Sequence, residues 1–249
     1  MYGMWELFDH VPAWRVVTSP ETPVRRRRPM HGMRPVYRGL PSRCHHRAMT
    51  DSNNIHPIEV ESYQILAQRV DLSNRPESHR KFIERMIHAT ADESYADSAR
   101  VGDGAPAALL SALQTDAPVV VDASMVRAGI TKYETLCFLD RVRVAPAGST
   151  RSAKAFELAA KEFPDGAVFV VGNAPTALFE LLRLADAGLV RPRAVVGVPV
   201  GFVGAKESKA ALWESRLAAI SITNMGERGG TPVAAAIVNA AVRQASATS

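Results

Sequence analysis

Apolar and polar positions follow two periods along this chain, and the change from one to the other marks out its elements. Residues 58–70 and 76–90 carry apolar side chains at helical spacing. In the second segment Phe82, Ile83, Met86 and Ile87 define one stripe that predicts a buried helix face. Gly104 to Gln114 predicts a third helix. Five short runs rich in apolar, β-branched residues follow: Pro118 to Asp122, Leu136 to Val142, Ala167 to Val171, Ala194 to Val198, and Leu217 to Thr223. Each has the length of a buried strand. The segments Arg151 to Phe163, Pro175 to Ala187 and Ala205 to Trp213 are rich in Ala, Leu, Glu and Lys and read as helices. A last helix, Pro232 to Gln244, has Thr231 placed as its N-cap and Pro232 at its first position. Strands alternating with helices require crossovers, hence a parallel sheet covered on both faces. The expected fold is a three-layer α/β/α sandwich on a five-stranded, mainly parallel sheet, with a helical N-terminal lead-in.

Neither period is present in residues 1–49. They hold Pro12, Pro20, Pro23, Pro29, Pro35 and Pro41 and the run Arg25-Arg-Arg-Arg28. Such a segment buries too little surface to offset the entropy of ordering, so it reads as a disordered leader. No apolar stretch follows its basic residues as a targeting peptide would require. Residues 50–249 read as one catalytic domain, and Met49-Thr50-Asp51 offers an alternative translational start.

The charge divides at the same place. The chain carries 30 Lys and Arg against 25 Asp and Glu, a net +5. The leader holds nine of those cations and three of those acids, a balance of +6, which leaves the body 21 against 22, or −1. The basic character therefore belongs to the leader, where an arginine-rich arm for RNA or an acidic partner is the sharper alternative. The body has no global field for nucleic acid. Two cysteines, Cys44 and Cys137, make no disulfide framework, which suits a reducing cytoplasm. No stretch approaches ~18 consecutive apolar residues, so no membrane span is expected.

In an open parallel sheet the ligand lies beyond the carboxyl ends of the strands. The runs there are Asp122-Ala-Ser-Met-Val-Arg-Ala-Gly-Ile-Thr131, Gly172-Asn-Ala-Pro-Thr176, Gly197-Val-Pro-Val-Gly-Phe-Val-Gly204 and Asn224-Met-Gly-Glu-Arg-Gly-Gly-Thr231. Three are glycine-rich and lead into helix starts, where free amides attract anions. Tight turning alone also accounts for any one of them. No dinucleotide fingerprint, phosphate loop or Gly-x-Ser-x-Gly elbow is present. Arg151 stands at a helix start that Ser149 or Thr150 can cap. A cation there opposes the helix dipole by about 0.3–1 kcal/mol, so it points either to a bound carboxylate or phosphate or to local pairing with an acid such as Glu157. His88 ends an amphipathic helix, where a C-terminal turn stabilises a protonated imidazole and suits a proton donor. The alternative is a histidine hydrogen-bonded to the last carbonyls. Arg85 shares its face, His79 falls among polar residues and reads as solvated, and Cys137 reads as core. Asp92, Glu93 and Asp97 lack a metal spacing with His88, so no metal site is expected.

Several of these segments resemble precorrin-8X methylmutases, also known as precorrin isomerases or cobalt-precorrin-8 methylmutases. They are Arg85-Met-Ile-His-Ala-Thr90, Asp122 to Thr131, Thr150-Arg-Ser152, Gly172-Asn-Ala-Pro-Thr-Ala-Leu-Phe179 and Val198-Pro-Val-Gly-Phe-Val-Gly-Ala-Lys-Glu-Ser208. The likeness runs from about Ile55 to Arg243 and excludes the leader. It implies an isomerase of cobalamin biosynthesis that moves a methyl group from ring carbon 11 to carbon 12 of the corrinoid, giving hydrobyrinic acid or cobyrinic acid. It also implies His88 as the acid–base residue, substrate contacts at Ser62, Arg85 and Arg151, a weaker one at Thr131, no cofactor, and a homodimer with interface sites. A non-catalytic corrinoid carrier is the alternative. One departure is Ala89-Thr-Ala-Asp92 after His88, a stretch where members often carry a glycine.

Overall fold

Val168-Phe-Val-Val171 is buried at all four positions, as expected for a strand covered on both faces. The computed structural model describes residues 56–145 and 147–247, so the expectations for residues 1–49 lie outside the described residues. The lead-in comprises helices α1 (Pro57–Arg69), α2 (Glu77–Thr90) and α3 (Tyr95–Ser98), then strand β1 (Ala99–Val101) and helix α4 (Ala105–Gln114). Next come β2 (Val119–Val121), α5 (Ser124–Gly129), β3 (Leu136–Cys137), α6 (Arg151–Glu162) and β4 (Val168–Val171). The chain continues through α7 (Pro175–Asp186), β5 (Ala194–Gly197), α8 (Ala205–Glu214), β6 (Ser221–Asn224) and α9 (Thr231–Ala247).

The strands lie in the order β1-β6-β5-β4-β2-β3, all parallel except β1 against β6. Alternate strand residues feed two cores. On one face Val119, Val121, Val168, Val170, Val196 and Ile222 join the buried sides of α1, α2, α4, α5 and α9. On the other, Val120, Phe169, Val171 and Val195 join α6, α7 and α8. The three layers are as expected from the sequence.

The details differ in five places. The sheet has six strands, because Ala99-Arg-Val101 is too short to carry a periodic signal and adds as an antiparallel edge. The run from Leu136 to Val142 is a two-residue strand that tightens into a 3-10 turn at Phe138–Arg141. Phe138 and Val142, four apart, point into the second core while Asp140 and Arg141 face water, a helical spacing rather than an alternating one. Another 3-10 turn, Ala218–Ile220, takes the first half of the run before β6. Helix α5 occupies the segment after β2 that reads as a loop. Thr231 is the first residue of α9 and not its cap; its Oγ1 is buried with no hydrogen-bond partner.

Candidate active site

Doubly wound sheets open a ligand crevice where the winding reverses. Here β2 leads outward to β3 while β4 leads the other way through β5 to β6, so the reversal falls between β2 and β4. The chain fills that crevice itself. Asp122, next after β2, accepts hydrogen bonds from the amides of Gly172 at 3.0 Å, Asn173 at 2.8 Å and Ala174 at 2.6 Å, at the start of α7. Burial raises its carboxyl above the ordinary value against the downward pull of these amides. A Cβ on Gly172 would approach Ala234 Cβ to 2.8 Å and Val126 Cγ2 to 2.9 Å. The expectation of anion-accepting amides at this helix start is therefore corrected: Asp122 takes them.

The loops after β5 and β6 are laced to each other in the same way. Gly201 N–H donates to Glu227 O and Gly230 N–H to Val198 O. Gly229, at φ 154°, passes so close that a Cβ would lie 2.3 Å from Val198 O. Beneath them the buried Lys209 donates to Arg228 O, with burial pulling its amine down to about 8.

A different group of polar side chains gathers between α1 and the end of α2. Ser62 Oγ lies 2.9 Å from His88 Nδ1. Tyr63 stacks on the imidazole with centroids 4.8 Å apart and planes 7° apart, and the Arg85 guanidinium carbon lies 5.2 Å from the same tyrosine ring. Arg85 and Arg243 both reach Glu59 Oε1, at 2.8 and 2.9 Å. Burial lifts the Glu59 carboxyl, but Arg243 and Arg85 together outweigh it and hold it below 4.5. Residues 59, 62, 63 and 66 are one helical stripe, and of the four only Leu66 is buried core. The face of α1 that docks on α2 is thus mostly a polar surface aimed at Arg85 and His88. Ser62 and His88 line a pocket of about 110 Å³ with Ile65, Arg69, Ile87 and Glu93.

This pocket belongs to the carboxyl edge of the sheet. α2 ends at Ala91, in the left-handed conformation with φ 53°, and Asp92 then pairs with Arg228 of the loop after β6. β1, running antiparallel, starts at that same edge, with Ala99 beside Asn224.

The other residues singled out in the sequence lie elsewhere. Arg151 starts α6, where Thr150 is the cap. Its Nε donates to Val142 O at 2.7 Å and its Nη2 to Leu139 O at 3.2 Å. Glu157 pairs instead with Lys154 and Lys161. Arg151 therefore stands beside β3, at the far end of the sheet from β1, across five strand spacings or about 24 Å. Thr131 N–H donates to Asn239 Oδ1 of α9, and its side chain is exposed. The structure thus unites Ser62, Arg85 and His88 but not Arg151 or Thr131. His79, expected in solvent, is buried at 9% exposure because it falls in register with Phe82, Ile83 and Met86 on the inner face of α2. Cys137 is buried and free, as expected of a core residue. Glu59, Tyr63, Arg243, Asp122 and Lys209 were not foreseen. For the α1 residues the only sequence signal is their spacing of three, four and seven.

Residues 57–244 match the family model described as Precorrin-8X methylmutase. The chain belongs to the precorrin-8X methylmutase family. It is 39% identical over 186 residues to the cobalt-precorrin-8 methylmutase of Methanocaldococcus jannaschii, covering 73% of this chain and 86% of that one. It is also 39% identical over 194 residues to the precorrin-8X methylmutase of Pseudomonas aeruginosa, covering 74% and 92%. The crystal structure of the precorrin-8X methylmutase from Thermus thermophilus superposes with a TM-score of 0.68 at 35% identity, covering 77% of this chain and 96% of that one. The isomerase class and the α/β fold expected from the sequence agree with these relatives. Among the described residues no helix is long and apolar enough to cross a membrane.

Proposed function

We propose that residues 50–249 catalyse the migration of a methyl group from carbon 11 to carbon 12 of precorrin-8X or its cobalt form, yielding hydrogenobyrinic or cobyrinic acid in the cytoplasm. The observation that carries this reading is the Ser62–His88–Arg85 group: a histidine whose Nδ1 is engaged by a hydroxyl, one helical turn from an arginine, in an open pocket. Ser62 occupies Nδ1 and leaves Nε2 to exchange a proton with the macrocycle. His88 protonates the ring system, the bond from carbon 11 to the methyl group breaks as the bond to carbon 12 forms, and the rearranged macrocycle returns a proton to His88. The step is an isomerisation with no net transfer of electrons. Arg85 receives a rim carboxylate in charge-assisted hydrogen bonds.

The active unit is proposed to be a homodimer. The pocket beside His88 holds about 110 Å³, below the roughly 300–1,000 Å³ usual for small-molecule sites, and a corrinoid is larger still. α1 turns Ile58 and Ile65 outward, and the loop after β5 holds out Phe202 at 90% exposure and Val203 at 89%, apolar surface of the kind that marks a contact or binding face. In such a dimer Arg151 and Thr131 of the second copy are proposed to complete the His88 pocket, since within one chain they bond elsewhere. Incubating a large excess of precorrin-8X with the protein and following its absorption tests the reaction. Many turnovers per protomer are expected; a single stoichiometric change, as from a carrier, overturns it.

A further inference from the structure

Ser62 holds His88 by one atom, and a single hydrogen bond at Nδ1 is a soft restraint on the side-chain torsion that sets the ring plane. The direction of the Nε2 bond lies in the ring plane, so a proton delivered from Nε2 goes where the plane sends it. What sets the plane is the neighbouring residue on α1. Tyr63 lies face to face with the imidazole, 7° from parallel at 4.8 Å, and also carries the Arg85 guanidinium at 5.2 Å from its centroid. Arg85 and His88 are three residues apart on α2 and meet the same ring. A π face attracts both a guanidinium and an imidazolium.

The hydroxyl of Tyr63 adds nothing visible to this. Its oxygen is buried and has no hydrogen-bond partner, an arrangement that costs free energy, and burial raises the phenol above its usual 10. Nor is α1 held chiefly by apolar packing, since Leu66 is its one buried residue. The ring is the feature the contact uses.

We propose that Tyr63 is a positioning residue whose ring fixes the plane of His88 and the place of Arg85, so that Nε2 points at the reacting centre. This rests on the methylmutase reading, yet it can fail separately. Tyr63→Leu and Tyr63→Met keep an apolar side chain but remove the flat face, and Tyr63→Phe keeps the face without the hydroxyl. With the full-length protein, kcat is expected to fall about tenfold or more in the Leu and Met variants, with KM changed less than twofold. Tyr63→Phe is expected to restore most of the loss. Nitrogen-15 spectra of His88 in the ligand-free protein are expected to show altered ring signals in Leu and Met and wild-type signals in Phe. Wild-type kcat in both Leu and Met, or a Phe variant as impaired as they are, overturns the proposal. Altered ring signals in the Leu and Met variants of a protein whose wild type turns over no precorrin-8X would sink the methylmutase reading and leave the ring clamp standing.

Discussion

Ser62 and His88, 26 residues apart, meet at 2.9 Å where a polar stripe of α1 docks on α2. His88, the proposed proton donor, is thereby oriented from the lead-in and not from the strand-end loops, whose amides the chain spends on itself. Removing the hydroxyl should cost the net value of one hydrogen bond, about 0.5–1.5 kcal/mol. Ser62→Ala is expected to lower kcat/KM about two- to thirteenfold in a precorrin-8X assay, and an unchanged value would detach Ser62 from the site.

Glu59 bridges Arg85 and Arg243, which hold its carboxyl below the usual 4.5. A carboxyl whose folded value is depressed stabilises the fold above its unfolded value, and that stabilisation is lost as pH falls through the folded value. Wild type should therefore melt higher than Glu59→Gln at pH 7, by the equivalent of about 1 kcal/mol or less given the partial exposure. The gap should close as the pH is lowered below about 4.5. Melting curves of both proteins across that range give the answer, and a gap independent of pH would contradict it.

Both oxygens of Asp122 accept from backbone amides. An asparagine in its place would set its own NH₂ against a donor, leaving at least one buried amide unmatched at about 1–3 kcal/mol. Asp122→Asn is expected to lower the denaturation midpoint accordingly. A variant as stable as wild type would mean that the crevice is not sealed by this residue.

Ala91 ends α2 at φ 53°, where a side chain costs roughly 1–2 kcal/mol and glycine does not. Glycine also loses more freedom on folding, by about 0.5–1 kcal/mol, so Ala91→Gly should stabilise by about 0.5–1 kcal/mol in chemical denaturation. Destabilisation would show that the methyl group has contacts worth more than the strain.

The layers, the long helices and all five expected strands, two of them shorter than their runs, were legible because they rest on apolar patterns such as Phe82 to Ile87 or Val168 to Val171. β1 was not, since three residues hydrogen-bonded at an edge carry no period. His88 was legible as a helix-terminal histidine and Arg85 as its neighbour on the same helix face, whereas Ser62 came only through the resemblance. Tyr63 and Glu59 stayed hidden because their function comes from a partner helix some twenty-five residues on. His79 misled for the opposite reason: its polar sequence neighbours point away from the stripe to which it belongs.

The central claim, that one imidazole drives the methyl shift, is tested most directly by His88→Ala with excess precorrin-8X, measuring both turnover and corrinoid affinity. The account predicts a loss of about 10²–10⁴-fold in kcat, the usual worth of a positioned acid–base group, with the corrinoid still bound by the remaining site. Turnover within a few-fold of wild type would contradict it.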